Sequence, residues 1–134
     1  CLVGSEMCIR DSYYRAKAYL DAGKTDGAME DLKVLAKDTR NVYGAEAKYK
    51  VAQIYFDGGQ TDKAEQEVLN YIEVSTPHTY WLARSFVLLA DVYMKLGRNL
   101  DAKQYLLSLK QNYQADDDIA GMIESRLEKL KTEN

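Results

Sequence analysis

Small and aromatic residues recur along this chain at helical spacing. Around Val51 and again around Phe86, they follow one another at intervals of three and four, which places them on one face of a helix. The segments DAGKTD, DGGQTD and LGRNLD interrupt the pattern, and a further apolar stripe follows each of them. The pattern predicts three pairs of helices joined by tight turns, with the second helices at about 26–37, 62–74 and 100–111.

The three helix pairs are copies of one unit. Each copy has an alanine, a tyrosine, a glycine, a second alanine and an aliphatic residue, with spacings of 3, 4, 5 and 4. The copies are offset by 36 and then by 38 residues. The marker residues are Ala16, Tyr19, Gly23, Ala28 and Leu32; Ala52, Tyr55, Gly59, Ala64 and Val68; and Ala90, Tyr93, Gly97, Ala102 and Leu106. A hairpin this small cannot bury its own apolar face, so neighbouring copies must cover it.

Each marker residue has a predicted role in the unit. The glycines end the first helix in the left-handed conformation, the alanines let two helices approach closely, and the tyrosines fill the space between hairpins. We expect the residues that follow the turns to cap the second helices, because their side chains can accept a free backbone N–H. These residues are Thr25, Thr61 and Asn99. Ser75-Thr76-Pro77 is interpreted as a cap followed by proline at the first position of the next helix.

One further helix is predicted after the third unit, at about 116–131. The acidic residues 116–118 stand at its start and Lys129 and Lys131 near its end, an order that suits the helix dipole. The stripe consists of Ile119, Met122, Ile123, Leu127 and Leu130. We interpret this helix as a cap with a polar outer face that closes the stack. The units themselves are predicted to span about 13–38, 41–74 and 77–112.

Residues 1–12 are expected not to be native. Their sequence, CLVGSEMCIRDS, matches the in-frame translation of a transposase library adapter. We therefore exclude them from fold reasoning and place the domain at 13–134. Both cysteines, Cys1 and Cys8, lie in this segment, so cysteine spacing supports no inference about disulfides, metals or redox chemistry. On this interpretation Tyr13 is not a natural N-terminus.

The repeated unit resembles the tetratricopeptide repeat (TPR) from Tyr13 to about Tyr113. The resemblance implies an all-α fold: a right-handed α-solenoid of three helix–turn–helix repeats plus a C-terminal capping helix. The offsets exceed the family's period of about 34 residues, and the family tryptophan is replaced by Ser12, Lys48 and Phe86. These looser repeats are similar to the BamD-like class of outer-membrane lipoproteins, and the C-terminal half to multi-repeat proteins of Bacteroidetes. The likeness implies a C-terminal fragment of a larger protein that is periplasmic or associated with the outer membrane.

Composition narrows the classes of function. The chain has 134 residues, 46% hydrophobic and 29% charged, which is the size and composition of one ordinary globular domain. Its 18 basic and 21 acidic residues give a net charge of -3, which argues against nucleic-acid binding. The longest apolar run, Phe86 to Ala90, is far too short to cross a bilayer. We therefore expect neither a nucleic-acid partner nor membrane insertion by this segment.

No residue pattern indicates catalysis. His78 is the only imidazole and has no second ligand nearby in the sequence. The acidic run 116–118 lacks the alternating ligands of a calcium loop, and Gly58 belongs to a turn and not to a phosphate loop. Ser85 and Ser108 lack a flanking glycine elbow and a nearby base. We predict a protein that is not an enzyme, with no catalytic residue, cofactor or metal.

The resemblance implies that the first helices of the repeats line a concave surface that binds a peptide or a partner protein. The residues that it places on this surface are Tyr13, Lys17, Leu20, Tyr49, Gln53, Phe56, Asp57, Arg84, Asp91, Met94 and Lys95. Aromatic groups mixed with charges of both signs suit an extended peptide or a partner helix. The alternative is that these are ordinary solvated helix residues. Trp81 is interpreted as packing between the second and third units, or otherwise as an exposed anchor.

A C-terminal carboxylate is not the expected ligand. The clamp by which chaperone-binding repeats hold that group uses basic and amide side chains, and its asparagines are absent here. The matching positions carry Tyr13, Lys17, Lys50, Arg84 and Leu88.

The leading hypothesis is a non-catalytic scaffold, the C-terminal part of a larger protein, which presents a rigid concave face to a protein or peptide of unknown identity. Two alternatives remain open. The repeats could be the purely structural end of a long solenoid, with only its own upstream repeats or another copy as partner. They could also regulate a fused enzyme encoded upstream.

Overall fold

The computed structural model describes residues 6–132, and over this range the chain forms seven α-helices and no strand. The helices are α1 (Glu6–Asp21), α2 (Thr25–Leu35), α3 (Val42–Asp57), α4 (Thr61–Glu73), α5 (Thr79–Lys95), α6 (Asn99–Asn112) and α7 (Ile119–Thr132). They form three antiparallel pairs, α1–α2, α3–α4 and α5–α6, and α7 packs against the third pair. The prediction of three helix–turn–helix units with one further helix is confirmed.

The first helices of all three units end in the same way. Gly23, Gly59 and Gly97 have φ angles of 75°, 81° and 78°, the left-handed conformation predicted for them. In each turn the N–H of the next residue donates to the carbonyl oxygen of the repeat tyrosine, at 2.7 Å in the first unit and 2.8 Å in the other two. This bond satisfies a carbonyl group at the helix end. The shared geometry confirms that the units are copies of one motif.

The predicted helix caps are wrong. Thr25, Thr61 and Asn99 are already the first residues of α2, α4 and α6, and the residue before each of them makes no side-chain cap hydrogen bond. The reason is that the left-handed glycine turns the chain so sharply that a single residue leads into the next helix. Asp117 shows the contrasting case, because its carboxylate accepts the N–H of Ile119 at 3.0 Å. The acidic run before α7 therefore supplies a side-chain hydrogen bond to the start of that helix, as expected.

The interpretation of Pro77 as the first residue of a helix is also wrong, since α5 begins at Thr79. The hydroxyl of Thr76 instead accepts the N–H of His78 at 3.1 Å and donates to the carbonyl oxygen of Thr39 at 2.7 Å. Thr76 thus joins the α4–α5 connection to the α2–α3 connection. The hydrogen bond to Thr39 holds residues 76–78 outside the helix. No local sequence pattern indicates this bond.

The first helix begins at Glu6, ahead of the predicted start of the first unit at Tyr13. Residues 6–12 are therefore helical although they belong to the segment that is expected to derive from an adapter. Residues 1–5 lie outside the described residues, and the adapter origin of 1–12 stays a prediction.

Six alanines bring the paired helices together, as predicted. All are at most 1% exposed: Ala16, Ala28, Ala52, Ala64, Ala90 and Ala102. Of the three repeat tyrosines, Tyr93 is buried, whereas Tyr19 and Tyr55 are half-buried. Small residues at the helix contacts and tyrosines beside them therefore form the repeated packing element.

The buried side chains form two clusters that meet at α3. The smaller cluster joins α1, α2 and one side of α3, and it includes Leu32 and Val51. The larger cluster joins the other side of α3 to the helices α4–α7, and it includes Leu89 and Leu106. Because both sides of α3 are buried, this helix connects the first unit to the rest of the stack.

The two layers of the stack pack differently. The helices α1, α3, α5 and α7 pack against one another in sequence, whereas within residues 6–132 the backbones of α2 and α4, and those of α4 and α6, do not approach each other as closely. We call the layer in which neighbouring helices touch the inner layer. The inner layer thus consists of the first helix of each unit, with α7 in the place that the first helix of a fourth unit would take.

Enlarging an alanine at these contacts is expected to destabilise the fold. Ala64→Leu or Ala90→Leu should lower the free energy of unfolding by about 1–3 kcal/mol, because neither fully buried site has space for a larger side chain. Thermal unfolding measures the change, and Ala120→Leu on the exposed side of α7 is the matched control. Unchanged melting temperatures for both core variants would contradict the register of the repeats.

Candidate functional site

The residues predicted for the concave surface fall into three groups along the inner layer. The first group, on α1, consists of Tyr13, Lys17 and Leu20. The second, on α3 and α5, consists of Tyr49, Gln53, Asp57 and Arg84. The third, on the same two helices, consists of Phe56, Asp91, Met94 and Lys95. The structure gives each group a different environment.

The first group contributes mainly to packing. Tyr13 is only 8% exposed, its ring lies 4.6 Å from that of Tyr43, and its hydroxyl donates to Glu46 at 2.9 Å. Leu20 is half-buried against the smaller core. Lys17 is exposed, with its ammonium 5.0 Å from the centre of the Tyr13 ring. Of these three, Lys17 alone offers a largely accessible side chain to a partner.

The second group is organised around the guanidinium of Arg84. This cation lies 4.9 Å from the ring centre of Tyr49, 5.8 Å from that of Tyr80 and 5.7 Å from that of Trp81. A cation near several aromatic rings is stabilised by their electron-rich faces. Tyr49 lies on α3 and the other three residues on α5, so the cluster fastens the second unit to the third. Trp81 packs between the second and third units, in agreement with the first of its two interpretations.

Hydrogen bonds extend from this cluster along α3. Arg84 donates to the Tyr49 hydroxyl at 3.2 Å, Tyr49 donates to Gln53 at 2.8 Å, and Gln53 donates to Asp57 at 2.8 Å. The polar groups of the second group thus satisfy one another. Tyr49 is only 7% exposed, so this group supports the inner surface more than it forms a vacant binding site.

Tyr80 links the same cluster to the segment before α7. Its hydroxyl accepts a hydrogen bond from Arg84 at 2.9 Å and donates one to Asp118 at 2.8 Å. Burial raises the pKa of Tyr80, and the carboxylate of Asp118 raises it further against the opposing effect of Arg84. The hydroxyl therefore stays protonated near neutral pH, which is the state that can donate to Asp118.

The third group lines a groove of about 690 Å³. Phe56 of α3 and Met94 of α5, both partly exposed, supply its apolar surface. Asp91 and Lys95 also come from α5, while α7 contributes Ser125, Arg126 and Lys129. We call this the α3–α5–α7 groove. It lies on the inner layer and brings together all four residues of the third group.

An ion pair holds one wall of this groove. Arg126 donates to both carboxylate oxygens of Asp91, from Nε at 2.8 Å and from Nη2 at 3.0 Å. Such two-point pairing fixes the relative orientation of α5 and α7. Lys95 and Lys129 are exposed, and neither ammonium makes an ion pair or a hydrogen bond within residues 7–132. The groove therefore has an apolar surface, a neutralised pair and two available cations.

Sequence reasoning missed the three residues that α7 contributes. It treated this helix as a cap and considered only its apolar stripe and polar outer face. The signal was the spacing from Met122, because Ser125, Arg126 and Lys129 follow it by three, four and seven residues and share its side of the helix. Met122 is half-buried against the larger core, so its neighbours on that side border the groove.

The residues considered for catalysis have structural partners. Ser85 is fully buried and donates to the carbonyl oxygen of Trp81 at 2.9 Å, and Nε2 of His78 lies 2.9 Å from the carbonyl oxygen of Arg40. Among the described side chains, no three His, Cys, Asp or Glu residues are grouped so that they could hold a metal ion. None of the helices within residues 6–132 has the length and apolar character needed to span a membrane.

Comparison with known families matches two of the three units. Residues 12–38 and residues 83–113 each match a family model described as tetratricopeptide repeat. Comparisons with curated proteins and with solved structures give no significant match. With the seven helices, the two matches confirm the predicted all-α solenoid of tetratricopeptide-type repeats. Such repeats generally mediate protein–protein interaction and are typically non-catalytic. The narrower likeness to BamD-like proteins stays a prediction.

Proposed function

We propose that this protein is a non-catalytic scaffold that binds a segment of a partner protein in the α3–α5–α7 groove. One observation carries the proposal: here the inner layer exposes the apolar side chains of Phe56 and Met94 beside Lys95 and Lys129, which have no ion-pair partner within residues 7–132. Apolar anchors bordered by polar groups are what protein interfaces share. The other two groups on the inner layer are largely buried or bonded internally.

The surroundings of the groove favour a preformed site. The Asp91–Arg126 pair joins α5 to α7, and the Arg84 cluster joins α3 to α5. All three helices that line the groove are thus fixed relative to one another before a partner arrives. A site that is already ordered loses less conformational entropy on binding. The groove can accept alternate side chains of an extended peptide or one face of a helix.

A polar substitution in the groove is expected to weaken binding. Met94→Gln keeps the length of the side chain but removes apolar contact, so peptides selected on the wild-type chain from a random displayed library should bind about tenfold more weakly. Fluorescence anisotropy with the labelled peptides measures the affinity. Leu107→Gln is the matched control, because Leu107 is 44% exposed on α6 and does not line the groove.

The control variant should bind as the wild type does. The proposal fails if the selected peptides bind Met94→Gln with unchanged affinity, or if Leu107→Gln weakens them to the same extent, since the contact surface would then lie elsewhere. Unfolding curves of both variants establish that the fold is kept.

A further inference from the structure

We propose that the segment bound in the α3–α5–α7 groove is acidic, with an apolar side chain placed against Phe56 and Met94 and carboxylates at Lys95 and Lys129. This inference rests on the proposed function and names the chemistry of its partner. It follows from the charges that line the groove, from the state of the two lysines and from a comparison with the other grooves of the molecule.

The groove is positive although the chain is negative. Its lining contains one carboxylate and three cations, and the whole chain carries a net charge of -3. Asp91 and Arg126 neutralise each other through two short hydrogen bonds. Lys95 on α5 and Lys129 on α7 have no carboxylate partner within residues 7–132. A patch of charge opposite to that of its protein attracts a ligand of complementary sign.

Several other lysines of this chain are already paired. Lys48 lies 2.7 Å from Glu67, Lys50 lies 3.4 Å from Glu46, and Lys110 lies 2.7 Å from Glu124. Lys95 and Lys129 have no such partner in the described part of the chain. An incoming carboxylate would therefore pair with them without displacing an existing contact.

Two other grooves between helices do not offer the same combination. The groove of about 190 Å³ between α6 and α7 has apolar side chains, but Glu124 and Glu128 lie among its lysines, two of which they pair with. The groove of about 360 Å³ formed by α2, α3 and α4 also has apolar side chains, but two of its three lysines have partners. Lys48 bonds to both Glu67 and Asn70, and the ammonium of Lys33 lies 5.7 Å from the centre of the Tyr55 ring. Of these three, the α3–α5–α7 groove is the one in which an apolar surface meets two lysines that have no ion-pair, hydrogen-bond or aromatic partner within residues 7–132.

An acidic peptide fits this arrangement better than a polyanion does. Two lysines are too few to neutralise a run of phosphates, and the overall negative charge of the chain would repel one. The apolar surface formed by Phe56 and Met94 requires an apolar group in the ligand. A protein segment that carries Asp or Glu near a large apolar residue satisfies both requirements.

Charge reversal in the groove tests the inference. Random displayed peptides are selected separately on three proteins: the whole wild-type chain, the groove variant Lys95→Glu/Lys129→Glu and the control variant Lys37→Glu/Lys103→Glu. The control makes the same change in net charge at exposed positions outside the groove. We expect Asp and Glu to be enriched beside apolar residues on the wild type and on the control. On the groove variant we expect Lys and Arg to be enriched instead.

Affinities of the selected peptides complete the test. An acidic peptide selected on the wild type should bind the groove variant about tenfold more weakly, or about 1.4 kcal/mol, and should weaken as salt is added. The control variant should keep its affinity. The inference is overturned if the wild-type peptides show no enrichment of Asp or Glu, or if that enrichment persists on the groove variant.

The two proposals fail in different ways. Peptides that depend on Met94 but carry no acidic bias would leave the groove as the binding site and overturn the charge inference alone. Peptides that are insensitive to Met94→Gln would overturn the proposed function, and the inference with it. A wild-type chain that binds an oligonucleotide through Lys95 and Lys129 more tightly than any peptide would also overturn the inference.

Discussion

A Gly44→Ala variant is expected to lose about 3 kcal/mol or more of unfolding free energy, because this position in α3 has no space for a methyl group. A Cβ atom at Gly44 would lie 1.9 Å from the carbonyl oxygen of Asp38 and 2.6 Å from that of Leu35. Both are backbone atoms at or just beyond the end of α2, so neither can rotate away. Relief requires α2 and α3 to separate, and this would open the smaller core where it meets α3.

Gly121 provides the matched control. It occupies the third position of α7 as Gly44 does of α3, and a Cβ atom there would meet nothing within 4 Å. Gly121→Ala should therefore raise stability by up to about 1 kcal/mol, because alanine loses less backbone entropy in a helix. Urea unfolding of the two variants measures the difference. Equal stabilities for Gly44→Ala and the wild type would show that α2 and α3 do not approach as closely as described.

The repeat could be predicted from the sequence because local backbone conformation and local packing determine its residue types. A left-handed turn favours glycine, and a close helix contact favours alanine, whatever the rest of the chain does. Gly23, Gly59 and Gly97 occur at matching positions in three copies, so the pattern exceeds what one turn would show. For the same reason the number and order of the helices could be predicted.

Contacts between distant segments could not be predicted in the same way. From the sequence alone, Gly44 is a residue that weakens a helix. No neighbouring residue in the sequence indicates that the carbonyl oxygen of Leu35 lies next to its Cα atom. Thr76 similarly reads as a helix cap until its bond to Thr39, in another connection of the chain, is seen. In both cases the deciding partner lies at the end of α2 or in the connection that follows it.

The candidate site was only partly accessible to sequence reasoning for a related reason. Spacing identifies which residues lie on a first helix, but the rotation between units decides which of them face solvent. Tyr13 and Tyr49 share the predicted surface with Met94, yet the two tyrosines are buried against neighbouring helices and Met94 borders the groove. Arg126 and Lys129 complete the groove because α7 takes the position of a further first helix.

Truncating Leu106 is expected to affect both stability and binding. Leu106→Ala should cost about 2–5 kcal/mol, because the side chain is fully buried and its removal leaves a cavity. Leu106 belongs to the larger core, which also holds the parts of α3, α5 and α7 that line the groove. We expect faster amide hydrogen exchange in these three helices and weaker binding of peptides selected on the wild-type chain. Both are measured at a temperature where the variant remains folded.

Leu32 occupies the same repeat position as Leu106, so Leu32→Ala is the matched variant. It is 2% exposed and should cost a similar amount of free energy, but it belongs to the smaller core formed by α1, α2 and one side of α3. In a stack where units interact mainly with their neighbours, damage in the first unit should stay there. Exchange should then increase in α1 and α2, while peptide affinity is retained. If Leu32→Ala weakens binding as much as Leu106→Ala, the two cores unfold as one unit and the groove depends on the entire stack.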